Sequence, residues 1–286
     1  MKLVCHIKRI FSVVILLSVT LSSFASEIKP AIWKVEHQGT TSYLLGSIHI
    51  GMGNWYPLPA HIMDAFNASK TLVVELDGPG STAAMTKQMM LPAGQTLQSK
   101  LSPKTYQKLE LYMKEMGMPA TSLKQLKPWA AATVVAVLPY LRAGLDPQFG
   151  IDAQFLSRAK KKGMALLELE TAQFQITLLS DLFSDEKMLV ELLEQPQKES
   201  QKLIDFWKEG DITKLEKLID QQMTLNQREI MLTSRNEDWV KQLRVLFKSK
   251  TPYFVVVGAA HLIGNDGVPA LLSKAGIKVT RLQQSL

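Results

Sequence analysis

Two short segments at opposite ends of the chain share one pattern: an apolar run, a glycine and, three residues later, a histidine. The first covers residues 43–49 (YLLGSIH) and the second residues 253–261 (YFVVVGAAH). Apolar runs that end at a glycine are typical of buried strands, and glycine lets the backbone turn tightly beside a ligand. Ligands bind at the carboxyl edge of open α/β sheets. The pattern therefore predicts two equivalent strand ends that converge on one site, with His49 and His261 projecting over it.

A third candidate side chain lies at the end of another strand. Residues 71–76 (TLVVEL) are a short β-branched run that contains Glu75 and stops at a Gly-Pro breaker. With the strand before His49 and the helical spacing of residues 57–68, this order indicates a βαβ-like unit, for which a parallel strand pair is the default. Glu75 is therefore expected on the same edge as His49.

Two neutral imidazoles and one carboxylate are a ligand set that could hold a divalent metal and leave a position open for water. A carboxylate at the end of an apolar strand is costly unless a cation compensates its charge. The alternative for Glu75 is therefore a salt bridge to a lysine or arginine. The other mature-chain histidines, His37 and His61, are expected to be exposed in a hairpin loop and on a surface helix.

The strand signals cluster at the two ends of the chain, and residues 83–246 are mostly helical in pattern. The predicted strands are residues 31–36, 41–45, 71–76, 164–170, 254–257 and 277–282. No low-complexity linker separates two domains. We therefore expect one α/β (α+β) domain with a mixed β-sheet formed by the N- and C-terminal halves and a large helical middle layer.

Residues 1–25 have the features of a secretory signal peptide: a positively charged start, an apolar stretch over residues 11–24, and small residues at Ser23 and Ala25. The alternative is an uncleaved anchor, but a bilayer span needs about 20 apolar residues. No later segment is both long and apolar enough to span a membrane. The sequence predicts a mature domain of residues 26–286 that is periplasmic or secreted, with no stable membrane span.

Composition limits the chemistry of the mature chain. The only cysteine, Cys5, lies in the predicted signal peptide, so neither disulfides nor a thiol nucleophile are expected. Lysines are scattered beside glutamates without interleaved aromatic residues, which argues against nucleic acid as a partner. The chain has no P-loop, no His-Glu-x-x-His, no Gly-x-Ser-x-Gly and no Cys-x-x-Cys. The oligomeric state is not indicated.

The ordered motifs of this chain resemble those of the TraB/GumN family, whose relatives include the Tiki metalloproteases. Both of the family's Gly-x-x-His motifs are present, as Gly46-Ser-Ile-His49 and Gly258-Ala-Ala-His261, and Glu75 matches its strand-end glutamate. The resemblance runs from about residue 33 to residue 281. It implies a fold similar to the erythromycin esterase and ChaN-like group.

Further family motifs follow in the same order. Gly150-Ile-Asp152 looks like the family's Gly-Ile/Leu/Val-Asp, Glu170 stands five residues before Gln175 as in Leu-Glu-x-x-x-x-Gln, and Arg235-Asn236 matches its Arg-Asn pair. The resemblance adds these residues to the site. Arg235 would bind a substrate carboxylate or an oxyanion, and Asn236 would orient a carbonyl or a ligand.

Each of these residues also has a purely structural alternative. Asp152 could be the N-cap of the helix after it, and Glu170 could cap its own following helix. Arg235 could be a helix-surface cation. The loop at residues 51–59, with an adjacent tryptophan and tyrosine, could form a wall of the pocket or pack its aromatic pair underneath.

The resemblance implies an exported metal-dependent hydrolase that acts on a peptide or protein substrate. A divalent ion such as Mn²⁺, Co²⁺ or Zn²⁺ would be held by His49, Glu75 and His261 and would activate water. Two alternatives remain open at this stage. One is a metal-independent hydrolase in which a histidine and Glu75 act as general base, and the other is a non-catalytic protein that binds haem, a metal or a peptide.

Overall fold

Six β-strands form a single mixed sheet in the computed structural model, which describes residues 28–77, 86–183, 186–194 and 197–283. In chain order the strands are β1 (Ile32–His37), β2 (Thr40–Ser47), β3 (Thr71–Val74), β4 (Ala165–Glu168), β5 (Tyr253–Gly258) and β6 (Lys278–Leu282). Their order across the sheet is β4-β3-β5-β2-β1-β6. Both ends of the chain therefore contribute to one sheet, as predicted. The predicted signal peptide, residues 1–25, lies outside the described residues.

A tight hairpin joins β1 to β2. Gln38 and Gly39, the two residues between the strands, both have positive φ angles, of 47° and 79°. Two positive φ values in a two-residue loop match the twist of antiparallel strands. The hairpin occupies one half of the sheet, where β6 pairs antiparallel with the other edge of β1.

The other half of the sheet is parallel, and one strand is placed differently from the prediction. β2 and β3 were expected to pair, but β5 lies between them and pairs parallel with both. Every residue of β5 before Gly258 is buried, and such a continuous apolar run suits a central strand covered on both faces. Because β4 also pairs parallel with β3, four strands end at the same edge.

Helices fill most of the chain between β3 and β5. In chain order the helices are α1 (Ala60–Ala68), α2 (Pro103–Glu115), α3 (Pro128–Arg142), α4 (Ile151–Lys161), α5 (Ala172–Leu182), α6 (Glu186–Glu194), α7 (Gln197–Glu209), α8 (Ile212–Gln222), α9 (Leu225–Arg228), α10 (Ser234–Leu246) and α11 (Val268–Lys274). The pattern over residues 174–193 predicts one helix, but the structure forms α5 and α6 there. Within the described ranges, no helix has the length and apolar character that a bilayer crossing requires.

Side chains alternate across β5 and tie it to helices on both faces of the sheet. Phe254 and Val256 pack with α1 and α4 on one face, and Val255 and Val257 pack with α10 and α11 on the other. Full burial of such side chains stabilises a fold by about 1.5–3 kcal/mol each. β5, which ends at Gly258, is thus packed against helices on both of its faces. A separate apolar core joins α2, α3 and α6.

Candidate active site

The parallel pairing of β2 with β5 brings the two Gly-x-x-His motifs side by side. Ser47 of β2 lies opposite Gly258 of β5, so both histidines leave the sheet at one edge. Glu75 directly follows β3, on the other side of β5. His49, Glu75 and His261 all line one cavity of about 260 Å³, which we call the central cavity. The structure therefore brings the three predicted ligands to one place, and their chemical roles remain to be tested.

Glu75 is buried and both of its carboxylate oxygens accept hydrogen bonds. The N–H of Gly258 donates to Oε1 at 2.7 Å, and Arg235 Nη2 donates to Oε2 at 2.9 Å. Burial alone would raise the pKa of Glu75, but nearby positive charge and the Gly258 amide hold this pKa below its ordinary value. That charge comes from His49 and Arg235, since the buried His261 is neutral at neutral pH. The salt-bridge alternative for Glu75 is therefore realised in this structure, with Arg235 as the cation.

Arg235 is a buried counterion between two carboxylates and not a helix-surface cation. Its side chain donates from Nε and Nη2 to Glu170, from Nη2 to Glu75 and from Nη1 to the Met231 carbonyl. These bonds use four of the five N–H groups of the guanidinium. Among the described residues none bonds the remaining N–H, on Nη1, so one donor is left for the predicted role in binding a substrate carboxylate or oxyanion.

Glu170 faces Arg235 because the pairing of β3 and β4 continues past the strands. The Glu170 N–H donates to the Glu75 carbonyl at 3.0 Å, which sets the two carboxylates side by side. Glu170 also accepts from Trp239 Nε1 and from Gln175 Nε2. The N-cap alternative for Glu170 is wrong, since Thr171 caps α5. Glu170 acts on the site through Arg235 and is a positioning residue.

Asn236 fixes the tautomer of His261 through a side-chain hydrogen bond. Its Nδ2 donates to the Asp266 carbonyl, an atom that can only accept, so its Oδ1 must be the atom 2.6 Å from His261 Nδ1. His261 Nδ1 therefore carries the hydrogen. Burial lowers the pKa of His261 to about 3, so its Nε2 has a free lone pair at neutral pH. Both polar atoms of the Asn236 side chain thus have partners within the protein, and its role in orienting a ligand stays a prediction.

His49 is more exposed than His261 and is held by a carboxylate. Its Nδ1 donates to Asp152 at 2.9 Å, and Ser47 Oγ donates to the other oxygen of Asp152 at 2.6 Å. Attraction by Asp152 raises the pKa of His49. Asp152 itself lies inside the first turn of α4, whose N-cap is Gly150, so the N-cap alternative for Asp152 is wrong.

Gly150 allows α4 to approach the first histidine motif. A Cβ atom at this position would lie 2.3 Å from the His49 carbonyl oxygen, so we expect Gly150→Ala to push α4 and Asp152 away from His49. Overpacking of this kind costs about 1–3 kcal/mol, which urea unfolding would measure. Gly53→Ala, where the nearest atom is 3.4 Å away on an aromatic ring, is the control and should change stability by less than about 0.5 kcal/mol. Equal effects of the two changes would contradict this account.

Comparison with known proteins assigns the chain to a family. The model of the TraB/PrgY/gumN family matches residues 31–281, a range that includes every candidate residue above. The chain belongs to this family. It is 27% identical over 242 residues to the uncharacterised protein YbaP of Shigella flexneri, a match that covers 81% of this chain and 87% of that protein. YbaP of Escherichia coli (strain K12) is 27% identical over 241 residues, or 80% of this chain and 87% of that protein.

A shorter match involves a metalloprotease. Metalloprotease TIKI1 of Danio rerio is 31% identical over 91 residues, which covers 31% of this chain and 18% of that protein. No solved structure matches the chain significantly. The predicted family resemblance is therefore confirmed.

Three supporting side chains of this TraB-family site were not predicted from the sequence. Ser47 holds Asp152 and sits inside the first Gly-x-x-His motif. Trp239 lies one helical turn after Arg235, donates to Glu170 and packs its ring 4.2 Å from that of His261. Trp207 donates to the Gly46 carbonyl. Only Ser47 and Trp239 had a signal in the sequence, namely their spacing from a motif residue.

The aromatic pair of the loop at residues 51–59 packs beneath the site. Trp55 is buried against Trp207, with ring centroids 5.2 Å apart, and Tyr56 donates its hydroxyl hydrogen to the Phe149 carbonyl. Neither side chain lines the central cavity. Of the two interpretations of this loop, the packing one is therefore correct.

The donors at the central cavity suit a divalent metal by type. Each histidine uses Nδ1 for a fixed partner, and no described residue bonds to either Nε2 atom. Metal-binding histidines are oriented in this way by a carboxylate or carbonyl. Each Glu75 oxygen keeps a further lone pair beside its one hydrogen bond. Within the described ranges, however, no three His, Cys, Asp or Glu side chains already stand at metal-binding spacing.

Proposed function

We propose that this TraB-family protein is a hydrolase that cleaves peptide bonds with a divalent metal held by His49, Glu75 and His261. The observation that carries the proposal is the parallel pairing of β2 with β5, which sends both histidines to the cavity that Glu75 also lines. The partial match to a metalloprotease supports peptides as the substrate class.

The roles of the residues follow from their contacts. His261 presents the lone pair of Nε2 because Asn236 holds the hydrogen on Nδ1. Asp152 orients the ring of His49 through Nδ1. Because attraction by Asp152 raises the pKa of His49 to about 9, His49 would release the proton of Nε2 when a metal binds. Glu75 supplies the negative charge, and the Arg235–Glu170 pair keeps its carboxylate in place. When bound, Mn²⁺, Co²⁺ or Zn²⁺ would act there as a Lewis acid that activates water and polarises the carbonyl.

Apolar side chains form the other wall of the central cavity. Trp207, Leu215, Ile219 and Met231 line it together with the histidines. A wall of this kind excludes water around a bound peptide, and charge interactions at the reacting carbonyl are stronger where water is excluded. The cavity therefore combines the polar edge of the sheet with an apolar cover, as enzyme pockets commonly do.

Export remains part of the proposal. The charged start, apolar stretch and small residues of residues 1–25 support a cleaved signal peptide and a periplasmic or secreted mature chain. N-terminal sequencing of the protein recovered from the cell envelope or the medium would check it. Recovery of the full-length chain from the cytoplasm would contradict export.

The metal requirement can be tested on the purified mature protein. We expect chelation to lower kcat/KM on a fluorogenic peptide library by about 10³-fold or more, because a Lewis acid supplies several kcal/mol to such a reaction. Adding back Mn²⁺, Co²⁺ or Zn²⁺ should restore activity, with about one ion per chain by elemental analysis. Full activity in a metal-free sample would overturn the metal part of the proposal.

One observation favours a metal-independent hydrolase as the second candidate. Glu75 already accepts hydrogen bonds from Arg235 and from the Gly258 amide, and no three potential ligands among the described residues are preassembled. In this version His49 or His261, paired with Glu75, takes the proton from the attacking water, as general bases do. Peptide cleavage that persists after complete removal of metal would select it.

A further inference from the structure

A second cavity adjoins the central one on the outer side of His49. We infer that it is the subsite that receives a large apolar side chain of the peptide substrate, next to the bond that is cleaved. This inference rests on the proposed function because it concerns the same site. It adds the class of peptide that the site accepts.

The two cavities meet at His49. The second one, which we call the α3 cavity, has a volume of about 320 Å³ and shares Ile48, His49 and Leu203 with the central cavity. Pockets that hold small ligands begin at about 300 Å³, so the α3 cavity has room for a bulky side chain. A peptide whose reacting carbonyl lies by His49 would therefore place a neighbouring side chain within reach of it.

Carbon atoms dominate the wall of the α3 cavity. Its further lining comes from α2, α3 and α6 and includes Tyr112, Val135, Ala136, Val137, Tyr140 and Leu192. None of the described residues that line it is an aspartate, glutamate, lysine or arginine. The Tyr112 hydroxyl donates to the Val135 carbonyl. His49, where the two cavities meet, is the ionisable exception among the described lining residues. Deeper in the cavity a charged substrate side chain would lose its hydration without meeting an opposite charge, which is unfavourable.

The composition of α3 explains why this apolar surface is not already packed. The helix is apolar on nearly all sides, and Ala131, Val135 and Leu138 face the core with α2 and α6. A helix that is apolar all round is normally buried all round. Ala136 and Val137 remain only half-buried and line the cavity instead. Because Ala136 is small, it leaves the space that a substrate side chain can fill.

The experiment measures kcat/KM for peptides that differ at one position beside the cleaved bond, carrying Leu, Phe, Ala or Asp. We expect the wild type to prefer Leu and Phe to Ala by about 10- to 200-fold, as apolar pockets do, and to cleave the Asp peptide least. Ala136→Phe should fill the cavity and bring the Leu-to-Ala ratio towards one, and Ala136→Leu should do so partly. Leu141→Phe adds the same ring at an exposed position of α3 outside the cavity, so it should leave the ratio unchanged.

A binding measurement separates failure of this inference from failure of the proposed function. The His261→Ala variant, titrated with the same peptides by calorimetry, should bind the Leu and Phe peptides most tightly even though it does not cleave them. One outcome would overturn the proposed function and uphold the subsite. In it the peptides bind with this preference, Ala136→Phe abolishes the preference, and the wild type cleaves none of them.

The remaining outcomes overturn the subsite. Equal kcat/KM values for the Leu, Ala and Asp peptides would show a peptidase whose substrate is not selected by the α3 cavity. A preference that Ala136→Phe does not change would show the same. Turnover of acyl esters with neither binding nor cleavage of any peptide would overturn both proposals.

Discussion

Replacing His261 with alanine should lower kcat/KM by about 10³-fold or more, the loss expected when a side chain that holds the metal or takes the proton is removed. The imidazole is buried, its Nδ1 is fixed by Asn236, and its ring packs on Trp239. Its Nε2 is thus held in one place with a free lone pair. Steady-state kinetics on the best peptide from the library would measure the loss.

The control for this change is a histidine away from the site. His61 lies on α1 and lines neither the central nor the α3 cavity, so His61→Ala should keep kcat/KM within about twofold of the wild type. Asn236→Leu would leave His261 without its partner, and it should lose activity through kcat more than through KM. Retention of wild-type turnover by His261→Ala would contradict the assignment of this residue to the chemistry.

Replacing Arg235 with methionine should destabilise the protein by about 3–5 kcal/mol, the range found when one partner of a buried ion pair is removed. The guanidinium pairs with Glu75 at 2.9 Å and with Glu170 at 2.7 Å, and all three side chains are buried. Methionine fills a similar volume but leaves two carboxylates without their cation. Urea unfolding of the purified variant, followed by circular dichroism, would measure the loss.

A matched control lies on the same helix. Lys241 pairs with Asp238 at 2.8 Å, but both side chains are largely exposed, so Lys241→Met should cost less than about 1 kcal/mol. Adding Glu170→Gln to Arg235→Met should restore part of the stability, since one uncompensated charge is then removed. If Arg235→Met were as stable as Lys241→Met, the buried network would not have the role assigned to it.

The strand ends could be predicted from sequence because their signals are local. An apolar run, a glycine and a histidine follow one another within nine residues, and alternation along the run specifies a strand. The mixed sheet shared by both ends of the chain followed from the same signals. The position of β5 between β2 and β3 did not, because strand order depends on pairing between segments far apart in the chain.

The roles of the polar residues were harder to predict because they depend on partners that are distant in sequence. Arg235 was expected to meet a substrate, yet three of its five N–H groups bond to Glu75 and Glu170, which follow β3 and β4 far away in sequence. Asn236 was expected to meet a ligand, yet it fixes the tautomer of His261. The turn before these residues, Glu229–Thr233, is π-helical, and such turns often occur at functional sites. The helical periodicity of the sequence does not indicate this π-helical turn.

Anomalous diffraction from crystals soaked in Mn²⁺ or Zn²⁺ tests most directly the claim that the two Gly-x-x-His motifs and Glu75 form one metal site. The account predicts a single strong peak in the central cavity, about 2.0–2.2 Å from the Nε2 atoms of His49 and His261 and within bonding distance of a Glu75 oxygen. The peak should be absent from crystals of His261→Ala soaked in the same way. A central cavity that stays empty at saturating metal, while the enzyme still cleaves peptides, would contradict the account.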